Sequence, residues 1–371
     1  MTTMRRRSCV AAEPLRACSA KGKPARSDHV NPRGSVLTVL RSGIPVVSQS
    51  PLSHDAEPGV MTSTFGLVLD TSAARTGGVS GPVSPPAAAG TAWAGAHRLA
   101  FQGAARSIVG PRTDNQDAAL ASASLIAVAD GVGGKVGGAV ASSLVIDSLA
   151  RTAEAWPSAD QPDALRRAAA VANGCLQVAK TRRPGLTGMA TTLTAAALGT
   201  NGCIHVMHVG DTRLYLCRAG ELVQLTRDHT LVQSLKDAGT ITDAQVRSHP
   251  LRSTLLAALH GRADDLSGVQ SITVPVQLGD RLLVCSDGLS GVVEPELINR
   301  ILGDEGEPDR VVSRLLRAAL AASTRDNVTA VLVDVVVAAD GVSHPVMRVG
   351  SPETTGCETF RRCSGGAGQR E

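Results

Sequence analysis

Aromatic side chains are almost missing from this 371-residue chain, which has two Trp, one Tyr and three Phe. Its apolar content of 43% is therefore mostly Leu, Val, Ile and Ala. Any core must come from close packing of aliphatic groups rather than from rings. The same scarcity removes the stacking platforms that hold single-stranded nucleic acid. Long apolar runs are missing too. None approaches the roughly 18–20 residues that cross a bilayer, so no membrane span is expected. Met1 to Cys18 carries the Arg5–Arg7 run without an apolar stretch and does not read as a secretory leader. The eight cysteines include no CxxC pair, so a cysteine-held zinc is not expected. Those in mid-chain lie in or near apolar segments, as small hydrophobes do, which suits a reducing, cytoplasmic setting. The body of the chain also lacks a charge excess. Residues 96–340 carry a net charge of −2, against +5 for 1–95 and +1 for 341–371. The sequence pI of 8.7 is thus set by the ends, and no nucleic-acid partner is implied.

Periodicity divides the chain in three. Residues 1–95 are rich in Ser, Pro, Gly, Thr and Arg, with SGPVSPPAAA at Ser80–Ala89 as the clearest linker. They show no sustained period and read as a disordered basic segment. Residues 341–371 read as a disordered tail for the same reason. Residues 96–340 read as one folded domain. LIAVA at Leu125–Ala129 is a short buried strand ending at Asp130. Val136, Val140, Leu144, Val145 and Leu149 keep helical spacing over Lys135–Ala150, and a second helix covers Pro162–Lys180. Strands are expected at Thr191–Leu198, Ile204–Val209, Arg213–Cys217 and Glu221–Leu225. Short helices follow at Asp228–Ala238 and Thr242–Ser248. Strands at Ser271–Val274 and Arg281–Cys285, a helix at Glu307–Ala322 and a strand at Val328–Val337 complete the series. Helices covering sheets, without repeats, make the fold class α+β.

Four aspartates share one context, at or beside the end of an apolar strand. They are Asp117 before Ala118–Leu120, Asp130 after LIAVA, Asp287 after LLVCS and Asp326 before the last strand. Strand ends present ligands rigidly to one rim of a sheet. Carboxylates gathered there repel one another unless a hard divalent cation, Mg²⁺ or Mn²⁺, sits among them.

The residues around these aspartates carry a resemblance. RTDNQD at Arg112–Asp117, DGVGG at Asp130–Gly134, TGMATT at Thr187–Thr192, VGDTR at Val209–Arg213, SDGL at Ser286–Leu289 and RDNVT at Arg325–Thr329 occur in this order. Together they resemble the bacterial form of the type 2C, metal-dependent protein serine/threonine phosphatases, over about residues 97–338. The resemblance implies an αββα sandwich, two central mainly antiparallel sheets flanked by helices. It implies a two-metal centre at one rim, holding Mn²⁺ or Mg²⁺. Asp130 would bridge both ions and the Gly131 carbonyl would bind one. Asp287 and Asp326 would bind the other, with Asp117 close by. Asp211 and Asp287 would hold a third, weakly bound ion. Arg112 would grip the substrate phosphate, and Gln116 and Asn327 would stand one step back from the ions. Catalysis would use a hydroxide bridging the metals, attacking phosphorus in line, with Arg112, Asp130 and Asp287 as the principal groups.

Some positions depart from the family pattern. Gln116 replaces a glutamate, Ala190 a glycine, and Gly291 an acidic residue. Val132 stands where eukaryotic relatives carry a histidine, so leaving-group protonation falls to metal-bound water. The glycines of Val132–Val140 do not make a phosphate loop, because Ala129 and Val136 fail its pattern. His205 and His208 lie three apart on one strand and face opposite sides, which favours packing over a metal. Arg213 is expected to organise its loop through an ion pair, and Arg227–Gly261 matches the family's flap. The expected function is hydrolysis of phosphoserine and phosphothreonine in phosphorylated proteins, opposing a bacterial Ser/Thr kinase in the cytoplasm. The alternatives are a regulatory phosphatase dedicated to one anti-sigma-type partner and a pseudophosphatase acting as a binding module.

Overall fold

Alternation along the strands decides the layering. This computed structural model describes residues 35–39, 45–49, 98–154, 162–304, 306–338 and 346–351. In chain order its first strands are β1 (Ser35–Val39), β2 (Pro45–Gln49), β3 (Leu99–Ile108), β4 (Asp117–Ala121) and β5 (Leu125–Val132). Two long helices follow, α1 (Gly134–Glu154) and α2 (Pro162–Arg182). Next come β6 (Ala190–Thr191), β7 (Leu193–Leu198), β8 (Cys203–Val209), β9 (Arg213–Arg218) and β10 (Glu221–Gln224). After the short helices α3 (Leu231–Asp237) and α4 (Asp243–Ser248) lie β11 (Gln270–Pro275) and β12 (Arg281–Cys285). The chain then forms α5 (Asp287–Ser290), α6 (Pro295–Leu302), α7 (Pro308–Ala321), β13 (Val328–Val337) and β14 (Met347–Gly350).

One sheet runs β1-β2-β11-β8-β7-β5-β4-β14, with β6 paired to β5, and the other runs β10-β9-β12-β13-β3. All their pairings are antiparallel. Because side chains alternate across a strand, each central strand feeds two cores. In β5, Ile126 and Val128 enter the core between the sheets, while Leu125, Ala127 and Ala129 meet α1 and α2. In β13, Val331, Val333 and Val335 face the inter-sheet core, and Val328, Ala330 and Leu332 meet α6 and α7. Three apolar layers between helix, sheet, sheet and helix make the expected αββα sandwich. Of the few rings, Phe101 and Tyr215 are buried.

Three strands fall where the sequence reading expects disorder. β1 (SVLTV) and β2 (PVVSQ) lie inside 1–95, and β14 (MRVG) lies inside 341–371. Each is a short run with β-branched residues: β1 and β2 pair with each other, β2 joins them to the sheet through distant β11, and β14 pairs with distant β4. Such a run is too short to show a period of its own. The Ser80–Ala89 linker and the Arg5–Arg7 run lie outside the described residues.

Candidate metal centre

Antiparallel register puts Asp117 of β4 directly opposite Asp130 of β5. Like charges in that position repel, so something must hold them. Asp117 is fully enclosed; its Oδ2 accepts from Ser286 Oγ at 2.8 Å, and its amide donates to Asn115 Oδ1 at 3.2 Å. The Asp130 backbone is clamped to the strand beside it. Its amide donates to Thr192 Oγ1 at 2.9 Å, and its carbonyl accepts from the Thr191 hydroxyl and the Thr192 amide, each at 2.9 Å. The next residue must be glycine, since a Cβ on Gly131 would lie 2.1 Å from the Gly138 carbonyl oxygen of α1.

The second sheet brings its acids to the same rim. β12 and β13 pair Cys285 with Ala330, so Asp287 and Asp326 both lie just beyond the paired ends, where the charge of Asp326 bears on Asp287. Asp287 opens α5, and its Oδ1 is buried with no hydrogen-bond partner among the described residues. Asp326 accepts from Arg112 Nη2 at 2.7 Å, and Arg112 Nε donates to the Arg325 carbonyl at 2.8 Å. Asp211 sits in the crossing from β8 to β9, from one sheet to the other, and is buried. Asn327 ties the loops together: its Oδ1 accepts from the Gln116 amide at 2.9 Å, and its Nδ2 donates to the Val109 and Asp114 carbonyls, each at 2.9 Å. The Gln116 carbonyl accepts from Ser142 Oγ at 2.5 Å and from the Gly131 amide at 3.1 Å.

The five carboxyls feel one another. Burial pushes Asp117 up to about 7, helped by the charges of Asp287 and Asp326 and opposed by hydrogen bonds from Thr329 and Ser286. Burial lifts Asp287 to about 6, with Asp326 adding to the shift and Arg213 and Arg112 resisting it. Asp130 and Asp211 rise well above the ordinary carboxylate range, first through desolvation and then through neighbouring acids. Asp130 and Asp287 are only half-buried as whole residues, and of Asp287 the Oδ1 atom is enclosed. The arrangement is costly when ionised and empty of cations.

Among the described residues, no three His, Cys, Asp or Glu side chains close on one point as a preformed ligand set. Two of the acids have local donors: Ser286 donates to Asp117, and Arg112 to Asp326. The donor chemistry still fits a hard divalent ion: every group is an oxygen, the acids share one rim, and Asp287 Oδ1 is an orphaned buried acceptor. The sequence reading expects Asp117, Asp130, Gly131, Asp211, Asp287, Asp326, Arg112, Gln116 and Asn327 at one site; in the structure Arg112 meets Asp326, the Gln116 backbone meets Asn327 and Gly131, and Asp117, Asp130, Asp211, Asp287 and Asp326 act on one another by charge. That reading assigns no role to Ser286, Thr191, Thr192 and Asn115, although each lies within or beside a quoted motif.

Other polar groups near the rim have structural partners. Arg213 holds Asp228 through Nε to Oδ1 at 2.9 Å and Nη2 to Oδ2 at 2.7 Å, the expected ion pair. His208 Nε2 lies 3.0 Å from the Arg227 carbonyl, which can only accept, so Nε2 carries the hydrogen and Nδ1 meets Thr194 Oγ1 at 2.8 Å. Burial first, then His229, drives His208 down to about 3. His205 Nδ1 lies 3.2 Å from Thr273 Oγ1. The segment carrying α3 and α4 arches beside the rim, and Arg247 of α4 pairs with Glu294 at 2.8 Å. A cleft of about 710 Å³ opens there, lined by Asp211 and Asp287 on one side and by Lys236, Arg247 and Arg252 on the other.

Known proteins share this plan. The protein phosphatase 2C family pattern matches residues 107–337, more than half of the chain. The serine/threonine protein phosphatase PstP of Mycobacterium tuberculosis is 40% identical over 251 residues, covering 67% of this chain and 48% of that one. The chain thus spans about half the length of that relative. The crystal structure of the M. tuberculosis phosphatase superposes with a TM-score of 0.60 at 40% identity, over 63% of this chain and 98% of that one. The PstP catalytic domain in complex with two manganese ions gives a TM-score of 0.59 at 38% identity, over 64% and 99% of the two chains. From the order of its motifs, its two-sheet sandwich and this match, the chain belongs to the protein phosphatase 2C family.

Proposed function

We propose that this chain hydrolyses phosphoserine and phosphothreonine in proteins, using Mn²⁺ or Mg²⁺ held at the aspartate rim. The observation that carries the reading is the gathering of five aspartates from both sheets, one of them with a buried acceptor, Asp287 Oδ1, that has no hydrogen-bond partner among the described residues. Asp130 would bridge two ions with the Gly131 carbonyl on one of them, Asp287 and Asp326 would serve the other, and Asp117 would stand close to both. Asp211, which shares the cleft with Asp287, would hold a weaker third ion. When bound, such a pair of ions supplies Lewis acidity and a water acidic enough to attack phosphorus at neutral pH.

The protein's own groups orient the substrate. Arg112 is anchored through Nε and Nη2, which leaves Nη1 of its half-exposed guanidinium for a phosphate oxygen. A planar fork suits that task better than an ammonium. Ser286 and Thr192 hold Asp117 and Asp130 in place, so little reorganisation is needed when charge develops. The cleft under α3 and α4 gives room for a polypeptide beside the phosphate. A bacterial Ser/Thr kinase and its substrates are the partners this chemistry would oppose. Residues 96–340 form the proposed catalytic unit, to which β14 adds an edge strand beside β4. The four described cysteines, Cys175, Cys203, Cys217 and Cys285, are thiols, which supports a reducing, cytoplasmic location. No described helix is long and apolar enough to cross a membrane.

The test is phosphate release from matched phosphoserine, phosphothreonine and phosphotyrosine peptides in Mn²⁺. Release from the first two, with much slower release from the third, is expected. No release from any peptide would leave a binding module as the better reading.

A further inference from the structure

The strand β14 lies beyond the family match, which stops at residue 337, yet it is stitched to the strand that carries Asp117. It pairs antiparallel with β4, Met347 to Ala121, Arg348 to Leu120, Val349 to Ala119 and Gly350 to Ala118. The pairing runs up to the site itself, because the Ser351 amide donates to the Asp117 carbonyl at 2.9 Å. Gly350 adopts φ +114°, and a Cβ there would sit 2.2 Å from the Asp117 carbonyl oxygen and 2.7 Å from the Ala118 Cα. Only glycine permits that approach. Two further ties reach α1, the helix behind the rim. Arg348 Nη1 meets Asp147 Oδ1 at 3.0 Å, and Ser143 Oγ donates to the Ser351 carbonyl at 3.4 Å. Val346 packs on the helix-side core and Val349 on the core between the sheets.

From this we infer that residues 346–351 are a positioning clamp for the metal centre: by closing the outer edge of β4, they fix the backbone of Asp117 and thereby set the affinity for the divalent ion. Without β14, β4 is an unpaired edge strand held on one side by β5 alone. Asp117 is its first residue and would fray first. Its carboxyl faces the charges of Asp130, Asp287 and Asp326, so any freedom of the backbone lets it move away from them. A backbone partner one step removed from an ion acts as outer-shell ligands do, through orientation. Gly350 and Ser351 are thus positioning residues. The inference rests on the metal-centre reading above.

The experiment compares the full chain with its Gly350→Ala, Arg348→Ala and Arg348→Lys variants. Mn²⁺ binding is read by titration calorimetry, fold by thermal melting, and turnover of p-nitrophenyl phosphate across a range of Mn²⁺. The clamp predicts a Kd for Mn²⁺ about 10-fold or more weaker in Gly350→Ala, a smaller loss in Arg348→Ala, and recovery in Arg348→Lys. It also predicts that kcat returns close to the parent value at saturating Mn²⁺. Variants that melt earlier but bind Mn²⁺ with the parent Kd per folded molecule would overturn the clamp alone. If Gly350→Ala does not fold, the Arg348 pair decides by the same criterion. A parent chain that binds no Mn²⁺ would overturn the metal-centre reading and the clamp with it.

Discussion

Asp130 and Asp287 come from different sheets and meet where burial first, and then neighbouring acids, lift both above the ordinary carboxylate range. A protein keeps such a pair only with a positive charge between them. Asp130→Asn and Asp287→Asn should each lower kcat at least ~100-fold, the scale of losing a principal electrostatic element, while circular dichroism and melting show an intact fold. Parent rates in either variant would remove that residue from the site. Arg112→Ala should chiefly raise KM, because a charged hydrogen bond to phosphate is worth about 1.5–3 kcal/mol, or roughly 10- to 150-fold. An unchanged kcat/KM in steady-state assays would leave Arg112 as a surface anchor for Asp326. The acids themselves were legible because a strand-end aspartate has a local signature. Ser286 was not: it meets Asp117 across 169 residues of chain, and a serine that holds a carboxylate looks like any serine before a turn.

At the scale of elements, Arg213 and Asp228 join β9 to the segment that leads into α3. Asp228 is buried, so removing its partner strands a charge. Arg213→Ala should cost about 3 kcal/mol, and the Arg213→Met, Asp228→Leu double variant should cost less than either single change. Denaturant midpoints check this; additive costs would show that the pair is not coupled. Most elements were readable from their own period, including α1, α2, α7, β5, β12 and β13. Two were not. β3 (LAFQGAARSI) has Gln, Gly and three Ala among its ten residues, poor strand formers, and is a strand because all ten pair with β13. α6 is short, although Pro295 at its start and Ile298, Ile301 and Leu302 on one face were a usable signal. β14 shows the cost of reading periods alone. Ending the catalytic unit at residue 340 cuts away the strand that closes β4.

The whole molecule stores a pH dependence in its rim. Asp117 rises to about 7 and Asp287 to about 6, through burial first and then neighbouring acids. From the ordinary aspartate range near 4 up to about 7, the folded, metal-free chain therefore binds more protons than the unfolded one. The rim contributes stability that is fully present below that window and is lost as pH rises through it, while His208, which burial holds down to about 3, contributes the opposite slope below the ordinary histidine range. The Tm of EDTA-treated protein should be lower at pH 8 than at pH 5.5, and Mn²⁺ should raise Tm more at pH 8, because a ligand for the ionised rim stabilises the fold by mass action. A metal-free Tm that is flat or rises over this range would contradict the origin of the shifts.

The central claim is that the aspartate rim works only with a divalent ion in place. The most direct measurement is p-nitrophenyl phosphate hydrolysis by the full chain after EDTA treatment and removal of the chelator, followed by titration with Mn²⁺. The account predicts no turnover in the stripped protein, saturable recovery with Mn²⁺ or Mg²⁺, poor recovery with Zn²⁺, and no recovery in Asp287→Asn over the same range. Full turnover by the stripped, metal-free chain would contradict it.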